Sequence, residues 1–357
     1  MPLLPIHGHE ALRKRLDDAI RRDALPSSLL LQGPLGVGKQ RLALWLGQRL
    51  LCTGPESRPC GTCQHCRYAL AGAHPDIHWY FPRPRLKDSD ASPEDVDDDF
   101  REALGERTKT GVYAPPPPED AILIATIRAM GHSAALAPAL ASRKIYILGD
   151  ADRLVVREDS EFAAGAFLKL LEEPPALANI ILTSSEPGAL IPTIRSRVVA
   201  LRVPPLAPNA VEALLAEPAM KEALATAGVS GRIEDQRRLA AGAPGSLLAR
   251  GEWSDAVTRA RRMLDAAAGA DRRQQMRTAM AQGSSKSRGA FSTSLDALTT
   301  LLHERARTAV ERGNSGGARV AARALDVVED AKELAAGNVN PQLITSELLR
   351  RLETLLR

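Results

Sequence analysis

The sequence predicts a parallel-sheet α/β domain followed by an all-α remainder. Three observations predict it. An apolar run at Leu29–Gln32 feeds a glycine loop, GPLGVGKQ at Gly33–Gln40, which opens onto leucines at helical spacing (Leu42, Leu46, Leu50). Two more apolar runs, Lys144–Leu148 and Asn179–Ser184, flank a helix-period stretch, the alternation that builds parallel sheets with helices on both faces. Beyond Pro204, Pro205 and Pro208, apolar residues recur only at helical spacing.

The glycine loop comes first. Gly33, Gly36 and Gly38 let backbone N–H groups turn toward phosphate oxygens, and Lys39 adds a cation for the terminal phosphates. Strand, G-x4-G-K loop and helix in that order point to ATP or ADP as the ligand class. The residue after the lysine ordinarily carries a hydroxyl for Mg²⁺, and here it is Gln40. That departure puts hydrolysis in question more than binding. A glycine-rich turn that no longer holds nucleotide is the competing reading.

All four cysteines follow within one short stretch, Cys52, Cys60, Cys63 and Cys66. Zinc accepts four thiolates at ~2.3 Å, and two-residue gaps let neighbouring sulfurs converge on one ion. Two disulfides would suit a small exported protein, and this chain is long. Four unligated thiols are the remaining alternative. His65 and His74 lie nearby, but four sulfurs fill a structural site and leave no position for water.

Residues 83–120 read as an acidic, proline-rich insertion. Asp88–Asp99 contains seven acids and no base, and Pro115–Pro118 is a four-proline run. One-sign charge and low apolar content predict a solvated, mobile loop.

Lys144–Leu148 then reads as a buried parallel strand ending in Gly149-Asp150-Ala151-Asp152. A working phosphate-loop ATPase ends this strand with Asp for Mg²⁺, followed by Glu. Here Gly149 and Asp150 occupy those positions, so two magnesium-associated features are missing together. The pair argues for a subunit that keeps the fold without the chemistry. Asp150 and Asp152 read equally well as strand-end residues.

Next come AAGAFLKLLEEPP (Ala163–Pro175), the strand NIILTS, and IPTIRSR (Ile191–Arg197). With these, the first 205 residues resemble the AAA+ clamp-loader ATPases of bacterial DNA polymerase III. FLKLLEEPP looks like the family's helix-ending signature. IPTIRSR looks like its S-R-C motif, with Val198 in place of the Cys. The cysteines after the first helix and His74-Pro75-Asp76 also fit the family pattern. The resemblance implies that Arg197 projects in trans into the ATP site of a neighbouring subunit, while Arg195 is its near neighbour and confounder. An arginine given in trans can contribute ~10³–10⁵ in rate. Gln40, Gly149-Asp150 and the arginine-free Gly242–Leu248 resemble the family's non-hydrolysing stator more than its ATPase. The partners implied are the gamma/tau and delta subunits, with the sliding clamp and primer-template DNA reached through the assembly. An active gamma/tau-like ATPase and a zinc-bearing AAA+ repair or adaptor protein are the rival functions.

The domain organisation expected is 1–205 for the AAA+ domain, with the cysteine module at 52–66. A small helical lid at 206–249 and a helical domain at 250–357 follow. Leu295, Leu298, Leu301 and Leu302 form one stripe; Leu325, Val328 and Leu334 a second; Ile344, Leu348, Leu352 and Leu355 a third. The resemblance implies an oligomerisation collar for this region, and packing within one bundle explains such stripes as well. Late arginines such as Arg259, Arg261, Arg262, Arg272 and Arg273 read as solvated helix faces.

Composition agrees with such a chain. Its 357 residues suit two or three domains, and 44% hydrophobic with 25% charged residues is ordinary globular usage. Aromatics are 3%, so the cores are expected to be aliphatic. No apolar run reaches the ~18 residues of a membrane span, and the opening MPLLPIHGHEALRKRL lacks a signal pattern, so the cytoplasm is the expected location. The net charge of +4 does not define a nucleic-acid partner. Residues 83–120 hold 6 Lys+Arg and 11 Asp+Glu, leaving 41 against 32 elsewhere, a modestly basic body.

Overall fold

The computed structural model describes all residues except 1–2, 55–58, 85–91, 118–119, 155–160, 176, 230, 249–251, 270, 283–287, 337–338 and 357. The chain divides into two units, Met1–Leu248 and Ala249–Arg357.

The first unit begins with α1 (Glu10–Arg21), which buries Leu12 and Leu16, and β1 (Ser28–Gln32). The glycine loop leads into α2 (Lys39–Leu51), whose side chains are nearly all buried, then α3 (Gln64–Leu70) and β2 (Ile77–Tyr80). α4 (Pro93–Thr108), α5 (Ile124–Ala135), β3 (Lys144–Leu148), α6 (Glu161–Glu172) and β4 (Ala178–Ser184) follow. α7 (Pro192–Arg195) and β5 (Val199–Arg202) complete the sheet region. α8 (Pro208–Ala216), α9 (Pro218–Thr226), α10 (Ile233–Ala240) and a 3-10 turn at Pro244–Leu248 end the unit.

The five strands are ordered β2-β3-β4-β1-β5 and every pairing is parallel. β1 is interior, with Leu30 level with Leu182 of β4 and Ala200 of β5. Central strands covered on both faces need apolar residues at every position, which is why SLLLQ, KIYIL and ANIILTS are continuous runs. β5 is an edge strand and mostly exposed. The glycine loop therefore sits at the carboxyl end of a central strand, where open α/β sheets place ligands.

The expectation of a solvated loop over 83–120 is corrected for 93–108, which is helix. Ser92 and Asp95 form a reciprocal capping box, and Pro93 fits the first turn. Val96, Phe100, Ala103 and Leu104 are buried on one face, while Glu94, Asp98, Glu102 and Glu106 stay exposed on the other. Phe100 meets Tyr80 and Phe81 edge-on, with ring centroids 5.0 and 5.5 Å apart. Amphipathic spacing outweighs the charge run, because Glu94, Asp98, Glu102 and Glu106 face water while the half-buried Asp97 and Asp99 are bonded to Tyr80 and Arg83. Asp88, Asp90 and Pro118 of the acidic and proline runs lie outside the described residues.

The second unit is helical among its described residues: α11 (Glu252–Gly269), α12 (Arg272–Met280), α13 (Arg288–Glu311), α14 (Ser315–Ala336) and α15 (Pro341–Leu356). Its core contains Met263, Leu264, Leu295, Leu298, Leu302, Val328, Ile344, Leu348 and Leu352. The expected α14 stripe changes at its end. Ala331 takes the buried position after Val328, and Leu334 is 44% exposed because it has rotated off the face. No helix among the described residues is long and apolar enough to cross a membrane.

Candidate functional site

The glycine loop is shaped by what lies against it. A Cβ on Gly36 (φ +78°) would come within 2.0 Å of the Ser246 backbone nitrogen, and one on Gly33 within 2.3 Å of the Val203 carbonyl oxygen. Only glycine permits either approach. Gly38, with φ +97°, caps α2. The Gly245 N–H donates to the Gly36 carbonyl at 2.9 Å, so the 3-10 turn clasps the loop. Among Gly242–Leu248 no side chain is an arginine.

Lys39 is buried and its Nζ donates to the Gly33 and Pro34 carbonyls, each at 2.8 Å, and to Ser185 Oγ at 2.9 Å. Gln40 is buried beside it. Its Nε2 donates to Asp150 Oδ2 at 3.0 Å, and its Oε1 accepts from Trp79 Nε1 at 2.9 Å and Arg107 Nη2 at 3.3 Å. This amide occupies the space against Gly149. A Cβ there would lie 2.6 Å from Gln40 Cδ and Oε1. Gln40 and Gly149 are thus one steric arrangement: the longer side chain fills the room that a strand-end carboxylate would need. Asp150 has φ 51° and its N–H donates to Thr183 Oγ1 at 3.0 Å, while Asp152 accepts from the Ser185 N–H at 3.1 Å. Burial, then the charge of Asp150, raises the Asp152 carboxyl above its usual range.

Arg107 enters from α4. Its guanidinium carbon lies 4.1 Å from the Phe81 ring centroid, 4.9 Å from Tyr113 and 5.4 Å from Trp79. Arg41 Nε donates to the Leu4 carbonyl at 2.8 Å, and burial lowers its guanidinium to about 10, still protonated at neutral pH. Arg107 Nε and Arg41 Nη1 are buried without a hydrogen-bond partner. A cavity of about 140 Å³ is lined by the loop, Arg41, Arg107, Tyr113 and Asp150 at one side and by Leu206, Leu214, Met220 and Leu248 at another.

The cysteines converge as zinc binding requires. Their four sulfurs lie within 4.8 Å of one another, and Cys52 Sγ to Cys63 Sγ is 3.9 Å. A tetrahedron with ~2.3 Å bonds has edges of about 3.8 Å. Backbone N–H groups of Gly54 and Cys60 approach Cys52 Sγ at 3.4 Å, and Cys63 N approaches Cys60 Sγ at 3.3 Å. The Thr62 hydroxyl, then backbone N–H groups, lower the Cys60 thiol to about 5. Burial pushes Cys66 up instead. His65 Nδ1 and His74 Nε2 face each other at 2.9 Å and stand outside the sulfur set. The donor chemistry fits structural zinc.

Arg197 stands apart from the loop pocket. It follows α7 and is 32% exposed; its Nε donates to Glu172 Oε1 at 2.5 Å and its Nη1 to the Thr193 carbonyl at 2.9 Å. Glu172 ends α6, so FLKLLEEPP and IPTIRSR meet in one ion pair. Arg195 is exposed nearby. Sequence reasoning did not find Arg107, Trp79 or Tyr113. The available signal was Val96, Phe100, Ala103 and Arg107 at three- and four-residue steps after Ser92-Pro93, a capped helix whose inward stripe ends in arginine.

A parallel sheet with the interior strand feeding a glycine loop, clasped by a short helical segment, is a phosphate-loop α/β architecture. Residues 8–207 match the family described as DNA polymerase III, delta subunit, which is more than half of the chain, and the chain belongs to that family. It is 29% identical over 204 residues to DNA polymerase III subunit delta' of Bacillus subtilis, covering 57% of this chain and 50% of that protein. It is 32% identical over 209 residues to the delta' subunit of Pseudomonas aeruginosa, covering 56% and 52%. The gamma/tau subunit of Mycobacterium bovis is 27% identical over 210 residues, covering 58% and 30%. The chain thus spans about half the length of the delta' relatives it matches.

Proposed function

We propose that this chain is the delta-prime, stator-type subunit of a DNA polymerase III clamp loader. The observation that carries this reading is the Gln40 amide packed against Gly149 where a magnesium-binding hydroxyl and carboxylate would stand. The two positions that ordinarily position Mg²⁺ for phosphoryl transfer are thus filled by an amide and a glycine. The same feature argues against a gamma/tau-like ATPase. In this reading 1–205 is the AAA+ domain, 206–249 its lid and 250–357 the collar, and gamma/tau and delta are the partners. The sliding clamp and primer-template DNA are engaged through the assembly.

Arg197 acts on a neighbour rather than on its own pocket. ATP held by that neighbour supplies the phosphoryl group. The planar fork of Arg197 suits phosphate oxygens, and its exposure leaves it able to exchange Glu172 for a phosphate. Glu172 pairs with the guanidinium until then. Cys52, Cys60, Cys63 and Cys66 hold zinc as a structural brace between α2 and α3.

Two measurements test this. The isolated chain with ATP and Mg²⁺ is expected to show no turnover above background, and robust hydrolysis overturns the stator reading. In a loader reconstituted with gamma/tau and delta, Arg197→Ala is expected to depress DNA-stimulated ATPase about tenfold or more. Unchanged activity removes Arg197 from the role.

A further inference from the structure

We infer that the second unit carries a docking groove for an acidic peptide segment with apolar side chains between its acids, held by Arg261, Arg305 and Arg312. The inference does not rest on the stator reading. The unit lies beyond residues 8–207, the part matched to the family.

The excess positive charge of the chain lies in this unit. Residues 249–357 hold 18 Lys+Arg and 13 Asp+Glu, whereas 1–248 hold 29 and 30. α11 and α13 are tied where Arg259 Nε donates to Ser294 Oγ at 2.8 Å. Farther along both helices lies a groove of about 540 Å³, lined by Arg261 of α11 and by Arg305 and Arg312 of α13. Among the described residues Asp265 is the one acid in its lining. Other cations of the unit have acids of their own. Lys332 meets Asp296 at 2.8 Å, Arg350 meets Glu347 at 2.6 Å and Arg351 meets Asp330 at 2.7 Å. The side chains of Arg261, Arg305 and Arg312 have no hydrogen bond or ion pair among the described residues. Three guanidinium groups against one carboxylate, on a concave surface, make a positive field that favours an anion.

The floor of the groove gives the ligand its class. Leu264 follows Arg261 by one turn of α11, and Leu301 and Ala309 stand one turn either side of Arg305 on α13. Leu264 is buried and the three arginines are exposed, so apolar surface lies beneath a guanidinium rim. Arg305 and Arg312 are about 10 Å apart along the helix axis, at 1.5 Å per residue. An extended peptide rises about 3.3 Å per residue, so acids three positions apart match that span. A side chain between those acids is then free to enter the floor. The planar fork of arginine takes a carboxylate through two parallel hydrogen bonds. A nucleic-acid backbone would engage the arginines and leave the apolar floor unused. No aromatic residue stands in the described lining to stack a base.

The test is fluorescence anisotropy of the full chain with labelled short peptides, repeats of Asp-Leu-Ser, Asp-Ser-Ser and Lys-Leu-Ser, and with labelled oligothymidine. The Asp-Leu-Ser peptide is expected to bind, the Asp-Ser-Ser peptide about tenfold more weakly, and the Lys-Leu-Ser peptide not at all. Arg261→Gln, Arg305→Gln and Arg312→Gln together are expected to weaken the Asp-Leu-Ser peptide about tenfold or more. Arg272→Gln, Arg273→Gln and Arg277→Gln together remove equal charge from α12, outside the groove. They are expected to shift the affinity less than about twofold. No binding of the Asp-Leu-Ser peptide, equal affinity for the Asp-Ser-Ser peptide, or equal weakening by the two triple variants each overturns the inference. Oligothymidine that binds more tightly than the peptide, and is lost with Arg261, Arg305 and Arg312, assigns the groove to nucleic acid and overturns it too. All six arginines are exposed, so both variants are expected to stay folded, which circular dichroism checks. The comparison among peptides uses wild-type protein and decides even if a variant fails to fold. ATP turnover bears on the stator reading alone and moves none of these readouts.

Discussion

Gly149→Ala adds one methyl group at a position where the structure leaves no room. The new Cβ would lie 2.6 Å from Gln40 Cδ and Oε1 and 2.8 Å from Nε2, about 1 Å inside ordinary contact. Gln40 can move only by weakening its bonds to Asp150 and Trp79. A bond to a carboxylate contributes about 1.5–3 kcal/mol and a neutral one about 0.5–1.5 kcal/mol, so displacement costs about 2–4 kcal/mol. Restricting the unfolded chain returns about 0.4–1 kcal/mol, leaving a net destabilisation of roughly 1.5–3 kcal/mol. In a Gln40→Ser background the obstruction is gone and the same methyl is expected to cost close to nothing. The double-mutant cycle should therefore show a coupling of about 2 kcal/mol. Equilibrium urea unfolding checks it, followed by Trp45 and Trp79 fluorescence in a Trp253→Phe background so that the signal comes from the first unit. A Gly149→Ala loss below about 0.5 kcal/mol, or additive effects in the cycle, would refute the claim that Gln40 and Gly149 form one arrangement.

The cysteine cluster is expected to carry about one zinc per chain, lost on Cys63→Ser. The Cys60 thiol, lowered to about 5, is a thiolate at neutral pH. Acidification is expected to release the metal, because protons compete with zinc for the four thiolates, read as the metal-to-protein ratio after dialysis; a folded, metal-free chain with four reactive thiols at neutral pH rejects the site. Asp76 gives a stability prediction with a definite sign. Burial alone would raise its carboxyl, but the N–H groups of Ala139, Ala141 and Leu140, at 2.6, 2.6 and 2.7 Å, outweigh burial and hold it below the usual range. Its stabilisation is present above the unfolded value of about 3.9 and is lost as pH falls through the lower folded value. Asp76→Asn is expected to cost about 1–3 kcal/mol at neutral pH, a gap that narrows in acid. A gap constant between neutrality and strong acid counts against this account.

What could be read from the sequence depended on whether one residue's signal sufficed. Lys144–Leu148 was legible because a fully covered parallel strand needs an unbroken apolar run, and KIYIL has one apart from its terminal Lys144. The strand Ile77–Tyr80 was not, because four residues interrupted by His78 carry almost no periodicity. His78 is accommodated by stacking on Tyr146 with centroids 5.0 Å apart and by contact with Ser133 Oγ at 3.2 Å. α4 was hidden by its own acids. The cysteines and the loop glycines were legible because covalent chemistry and positive φ leave few residue choices. Arg107 was not, since its neighbours Trp79 and Phe81 lie more than twenty-five positions earlier and only the fold gathers them.

The replaced residues at the loop make sense as a group. Gln40 alone would leave a buried amide in search of partners, and Gly149 alone would leave a void at a strand end. Together the amide fills the void, takes the Trp79 N–H, and donates to Asp150. Arg107 then supplies a fixed positive charge beside the same amide. Simple erosion of a nucleotide site would be expected to leave unfilled space or unpaired groups at the altered positions. Here the altered positions are close-packed and bonded. Under the proposed stator reading, that arrangement holds the loop in one geometry. Under the same reading, Arg197, which is absent from the pocket lining and is bonded among the described residues to Glu172, Thr193 and Ser196, is the part that changes partners.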